Sequence, residues 1–199
     1  MIRQLATGYL DNFSYIVGCE TTRKGLVIDP GPDPDIIVAA VEEEGLTIAM
    51  IVNTHGHGDH TAGNAALKAR TGAPVLIHQG DAHLYPQADR LLSRETTLSL
   101  GQITFEVIHT PGHTPGGICL YAQGNLFTGD TLFVGDSGRT DLPGGDRPTL
   151  GASIRRLMRL PDETVVWPGH DYGPSASSTI GWEKRHNVNA REYGYFVEE

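Results

Sequence analysis

Short apolar runs and amphipathic stretches alternate along most of this chain. Phe13–Cys19 and Gly25–Asp29 are apolar and rich in β-branched residues, and they predict two strands. The turn Asp29-Pro30-Gly31-Pro32 ends the second one sharply. From Asp35 to Glu44 the apolar positions recur at helical spacing, and Gly45 follows as a stop. Ile48–Val52 reads as a strand, Asn53–His60 as a polar loop at its end, and Thr61–Arg70 as a helix before Gly72. Further strands are predicted at Pro74–His78, Ile103–His109, Gly117–Tyr121, Leu126–Thr128 and Thr164–Trp167, with a less regular stretch running to about Leu100. Gln123-Gly124-Asn125 predicts a hairpin turn. Asp130–Pro148 is a long loop rich in Gly, Asp and Arg. Leu150–Leu160 and Ser178 to about Arg191 are predicted helices. The pattern alone gives a mixed α and β chain, in which two stacked sheets with outer helices would cover both apolar faces.

Composition narrows the class. A length of 199 residues suits one domain over 1–199, and no repeat, low-complexity tract or linker interrupts it. With 39% apolar and 20% charged residues the chain reads as globular, not disordered. No apolar run approaches the roughly 18 residues of a membrane span. The first residues lack an apolar signal region, so the cytoplasm is the expected compartment. The net charge of −9, with no Lys/Arg run longer than two, disfavours a nucleic-acid partner. Cys19 and Cys119 sit in apolar strand-like runs and are expected to be buried free thiols.

The chemistry concentrates at predicted strand exits. Thr54-His55-Gly56-His57-Gly58-Asp59-His60 places four metal-capable side chains within six residues, after a strand and before a helix. Imidazole and carboxylate suit zinc, iron and manganese. Gly56 and Gly58 let the backbone turn so that successive side chains enter one cavity. Three more ligand types stand beside glycine just beyond strands: His113 in Pro-Gly-His-Thr, Asp130 in Thr-Gly-Asp and His170 in Pro-Gly-His. His78, His83, His109 and His186 lack that setting and are not expected to be ligands.

In that order, the HxHxDH run, the PGHT turn, the GD loop and the late PGH resemble the metallo-β-lactamase superfamily over nearly the whole chain. The resemblance implies an αββα sandwich of two mixed sheets flanked by helices, with metals at the sheet edges. It implies a first metal on His55, His57 and His113, a second on Asp59, His60 and His170, and Asp130 bridging both. Two divalent ions are expected, zinc first, with iron or manganese as alternatives. Asp29 matches a family position that supports the site from behind the ligands. The implied reaction is hydrolysis by a hydroxide held between the cations, with Asp59 orienting the nucleophile.

The segments Gly129–Phe133 and Gly138–Asp146 resemble short bacterial glyoxalase II-type hydrolases, which implies a small thioester substrate such as a hydroxyacylglutathione. Arg139 stands where such enzymes place a cation near the anionic end of the substrate, and Tyr172 is within reach of it. Asp136, Asp141 and Asp146 are expected to solvate or cap the loop. The chain runs only 29 residues beyond His170, so the helical domain that helps hold glutathione in longer relatives is not expected. Asp141 also replaces the tyrosine those relatives carry two positions after the loop cation. The rival reading is a persulfide dioxygenase with one iron on His55, His113 and Asp130. That branch shares the Gly138–Asp141 loop and the His170-Asp171-Tyr172 ending, but it carries cysteine where this chain has Ser137. The sequence does not give the oligomeric state, and a homodimer is the assembly kept in view.

Overall fold

The computed structural model describes residues 1–93 and 96–193. Residues 94–95 and 194–199, among them the end of the expected domain span, lie outside the described residues. Six strands form the first sheet in chain order: β1 (Ile2–Thr7), β2 (Asn12–Cys19), β3 (Lys24–Ile28), β4 (Thr47–Val52), β5 (Val75–His78) and β6 (Arg90–Leu92). β1 to β3 are antiparallel, whereas β3 to β6 are parallel. Parallel neighbours require crossovers: α1 (Pro34–Glu43) links β3 to β4, α2 (Gly58–Thr61) and α3 (Asn64–Thr71) link β4 to β5, and a stretch opening with the 3-10 turn Gln79–Asp81 links β5 to β6. β2 is buried at every position, and from Tyr15 to Val17 it runs apolar without alternation.

The second sheet contains β7 (Thr97–Leu100), β8 (Ile103–His109), β9 (Ile118–Ala122), β10 (Asn125–Gly129), β11 (Val165–Pro168) and β12 (Ser178–Thr179), also in chain order. Only β10–β11 is parallel, and α4 (Arg147–Leu157) makes its crossover. Asp146 caps α4 by accepting from the Thr149 N–H, and Pro148 stands in its first turn. α5 (Ile180–His186) and α6 (Val188–Glu192) close the described chain.

Three buried clusters hold the layers together. Between the sheets, Tyr15, Leu26, Ile28 and Val52 meet Leu100, Phe105, Leu120 and Phe127. Ile37, Val41 and Leu67 of the outer helices cover Ile16, Val27, Ile51 and Val75 on the back of the first sheet. Leu150, Ile154, Leu157 and Ile180 do the same for Ile108, Cys119, Leu126 and Val166 on the second. This is the αββα sandwich expected. Among the described residues no helix is long and apolar enough to cross a membrane.

Two expected helices prove to be broken. The one predicted over Thr61–Arg70 is split by Ala62-Gly63, because the chain there presses against residues 30–31. Gly63 N donates to Pro30 O at 2.9 Å, and a Cβ at 63 would lie 2.4 Å from Gly31 O. The closing helix begins as β12 and breaks again at Asn187, whose extended backbone and side chain cap α6. β6 and β7 occupy the stretch that looked irregular. At the edge where the strand-exit loops gather, the two sheets are tied directly. Phe13 N donates to Gly169 O and Asp171 N to Asp11 O, both at 2.8 Å.

Candidate metal centre

Each of the expected ligands leaves the C-terminal end of a strand or the turn just past it. The loop after β4 carries His55 and His57, and α2 continues it with Asp59 and His60. Asn53 shapes this loop by donating to His60 O at 2.9 Å while accepting from Asn64 at 2.8 Å. His113 comes from the turn between β8 and β9, Asp130 follows β10, and His170 lies two residues past β11.

The structure brings all seven together. The ligand-type atoms of His55, His57 and His113 lie within 4.8 Å of one another, as do those of Asp59, His60 and His170. In the first group, His57 Nδ1 is 3.1 Å from His55 Nε2 and 2.9 Å from His113 Nε2. In the second, His60 Nε2 is 3.1 Å from His170 Nε2, and Asp59 Oδ2 is 3.4 Å and 3.6 Å from them. Asp130 stands between the groups, 3.4 Å from His113 and 3.3 Å from both His60 and His170.

These donors fit cations better than they fit one another. Ring nitrogens face ring nitrogens, and each such contact can use at most one proton. Asp130 Oδ1 is buried with no hydrogen-bond partner among the described residues, a costly state for a carboxylate oxygen. Convergent lone pairs from imidazole and carboxylate are the donor set for divalent zinc, iron or manganese.

The charge states divide along the same line. Burial, reinforced by the charge of His60, pushes His55 well below the ordinary histidine range. Burial and then His113 lower His57. Neutral imidazole is the ligating form. His60 and His170 go the other way. Burial resists their protonation, but Asp130 outweighs it for both, with help from Asp29 at His60. Burial also opposes ionisation of Asp130, yet His60 and His55 hold it well below the carboxylate range.

Outer partners aim the rings. His113 Nδ1 donates to Arg139 O and His170 Nδ1 to Leu10 O, each at 2.7 Å. These bonds turn each Nε2 inward. His60 Nδ1 donates to Asp29 Oδ2 at 3.1 Å, and Asp29 also accepts from Thr54 N at 2.7 Å and Thr54 Oγ1 at 2.6 Å. Asp29 holds φ at 50°, a left-handed conformation that Asp tolerates better than most residues. Sequence reasoning missed Asn12, whose Nδ2 donates to Asp59 Oδ2 at 2.8 Å. The only signal was a polar residue at the start of a mostly apolar run.

A cavity of about 580 Å³ opens over the cluster, walled by Leu10, Phe133, Leu142 and Tyr172, with Ser137 and Arg139 at one side. Tyr172 stacks on His170 at 4.6 Å and 11°. The Arg139 guanidinium is paired with Asp141 through two bonds of 2.6 and 2.7 Å. Asp136 accepts from the Ser137 N–H and from Asn189, and so belongs to the loop's own bracing. His78 and His109 stack on each other at 4.1 Å, apart from the clusters, and Cys19 and Cys119 are buried free thiols.

Comparison with known proteins agrees with this geometry. A hydroxyacylglutathione hydrolase of Rhodospirillum rubrum is 43% identical over 165 residues, covering 81% of this chain and 63% of that protein. The match thus spans less than two thirds of the relative's length. The crystal structure of ETHE1 from Myxococcus xanthus matches with a TM-score of 0.88 and 37% identity, covering 94% of this chain and 83% of that one. TTHA1623 in a di-iron-bound form matches with a TM-score of 0.83 and 36% identity, over 94% and 98%. The model of the metallo-beta-lactamase superfamily matches residues 7–170, a stretch that runs through the last of the seven side chains, His170. The chain belongs to the metallo-β-lactamase superfamily.

Proposed function

We propose that this protein hydrolyses thioesters of the hydroxyacylglutathione type at a centre of two divalent cations. The observation that carries this reading is the convergence of two three-residue donor groups on one buried, half-unpartnered carboxylate, Asp130. The substrate class rests on the 43% identity to the Rhodospirillum rubrum hydrolase.

In this reading His55, His57 and His113 would hold one cation and Asp59, His60 and His170 the other, with the Asp130 carboxylate available to either. When bound, two such cations lower the pKa of a shared water and polarise a carbonyl oxygen. The chain supplies the rest. Asp59, steadied by Asn12, faces the cavity and orients the attacking water through its carboxylate. Leu10, Phe133 and Leu142 exclude bulk water and seat the apolar part of the substrate. Tyr172 and Arg139 contact it at the mouth, and Arg139 must first exchange Asp141 for a substrate anion. The carbon–sulfur bond breaks as a carbon–oxygen bond forms, and the departing thiolate needs little protonation.

The likeness to ETHE1 supports a second reading, a persulfide dioxygenase with one iron on His55, His113 and Asp130. One experiment separates the two. Protein purified without added metal is analysed for metal, then assayed on S-lactoylglutathione and, for oxygen uptake, on glutathione persulfide. Two metals per chain with thioester turnover is the expected result. One iron per chain with oxygen consumption and no thioester turnover overturns the hydrolase.

A further inference from the structure

We propose that Asp81 is a positioning residue for the three-histidine group. Asp81 ends the short 3-10 turn Gln79–Asp81 that follows β5, and it is fully buried. It belongs to none of the motifs and to none of the candidate ligand groups. Its Oδ2 accepts from Gly56 N at 2.8 Å and from Thr114 Oγ1 at 2.7 Å, while Oδ1 accepts from Gly116 N at 2.6 Å. Gly56 separates His55 from His57, and Thr114 follows His113. One carboxylate therefore clamps two loops that leave different sheets, and those loops carry all three histidines.

The fit is tight. A Cβ at position 116 would come within 2.5 Å of Asp81 Cγ, so only glycine allows this approach. Hydrogen bonds to an ionised carboxylate are stronger and shorter than neutral ones, and three of them fix the spacing between the loops. Asp29 has a comparable place behind the other group, but it bonds the His60 ring itself. Asp81 hydrogen-bonds no imidazole of the centre and acts through two backbone amides and the Thr114 hydroxyl. It governs the His55, His57 and His113 group and leaves the Asp59, His60 and His170 group alone. This role rests on the metal-centre reading above.

Asp81→Asn tests it. The amide keeps the shape but turns an NH2 toward a backbone N–H of Gly56 or Gly116, so one clamp is lost. Metal-free protein is titrated with Co2+ and followed by its visible spectrum. The unaltered chain is expected to take two ions. Asp81→Asn keeps one ion at unchanged affinity and binds the other about 10–100-fold more weakly, the usual cost of losing an outer partner, with an altered cobalt spectrum for that site. Thr114→Val, which removes one donor, shows a smaller loss at the same site. Leu157→Ala, in the cluster behind the second sheet, lowers thermal stability and leaves both affinities unchanged. Equal weakening of both sites, no weakening of either, or a one-site loss in Leu157→Ala overturns the proposal. If the unaltered chain takes up no cobalt, the metal-centre reading itself fails and this role with it, a result distinct from any affinity change between variants.

Discussion

The two donor groups share a location and differ in electrostatics. His55, His57 and His113 are three imidazoles with no carboxylate of their own, and burial keeps His55 and His57 neutral. Asp59, His60 and His170 include a carboxylate, and nearby acids make both rings more basic. The groups lie on either side of Asp130, so dielectric surroundings alone do not separate them. One negative charge does. Cations held in the two groups would not be equivalent, and the histidine-only side would keep more of its positive charge.

The variant with the largest expected effect erases the comparison. Asp130→Ala removes the carboxylate both groups face, and kcat/KM for a thioester is expected to fall beyond the 10–100-fold typical of an outer partner, to roughly a thousandth or less. Metal analysis should show both ions lost or weakened. His57→Ala and His170→Ala sharpen the comparison. Each is expected to leave one tightly bound ion per chain, with activity down by about 100-fold or more. If either variant releases both ions together, the groups are not separable. Asp29→Asn should weaken the Asp59, His60 and His170 side most, because Asp29 bonds the His60 ring itself, by about 10–100-fold in a zinc competition titration.

The smallest effect lies outside both groups, in the α5 brace behind the cavity loop. Glu183 accepts from Gly135 N at 3.0 Å, from Asn187 Nδ2 at 2.7 Å and from the Ser178 hydroxyl. Burial nevertheless pushes its carboxyl above the ordinary range, against those three donors. The folded chain then holds this proton more tightly than the unfolded one. The stability it contributes is complete below about pH 4.3, the unfolded value, and declines as pH rises through the raised one. Glu183→Gln is expected to flatten that slope in thermal unfolding scans, with metal affinities unchanged.

The candidate ligands were legible because six of the seven stand beside glycine just past a predicted strand, and His60 directly follows Asp59 in the same run, so period and punctuation both marked them. His113 and His170 illustrate this, each in a Pro-Gly-His turn. Residues that act across long sequence distances were not legible. Asn12 and Asp59 are 47 positions apart, and Asp81 meets Gly116 over 35. Both acquire their roles from backbone and side chains that only the folded sheets bring near. The fold was read correctly in outline for a similar reason. Longer strands such as the mostly apolar β2 and the partly alternating β8 declare themselves, whereas β6, with three residues, has too few positions for a period. The break at Gly63 was invisible because its cause is residues 30–31 pressing from another loop.

The centre is drawn from positions 55 to 170, across both sheets, at the edge where Phe13 and Asp171 bond the sheets to each other. Neither half of the polypeptide can assemble it while being synthesised. Pairings this distant in sequence close late on a folding pathway, after local structure has formed. A chain with only one sheet formed would hold only part of this donor set.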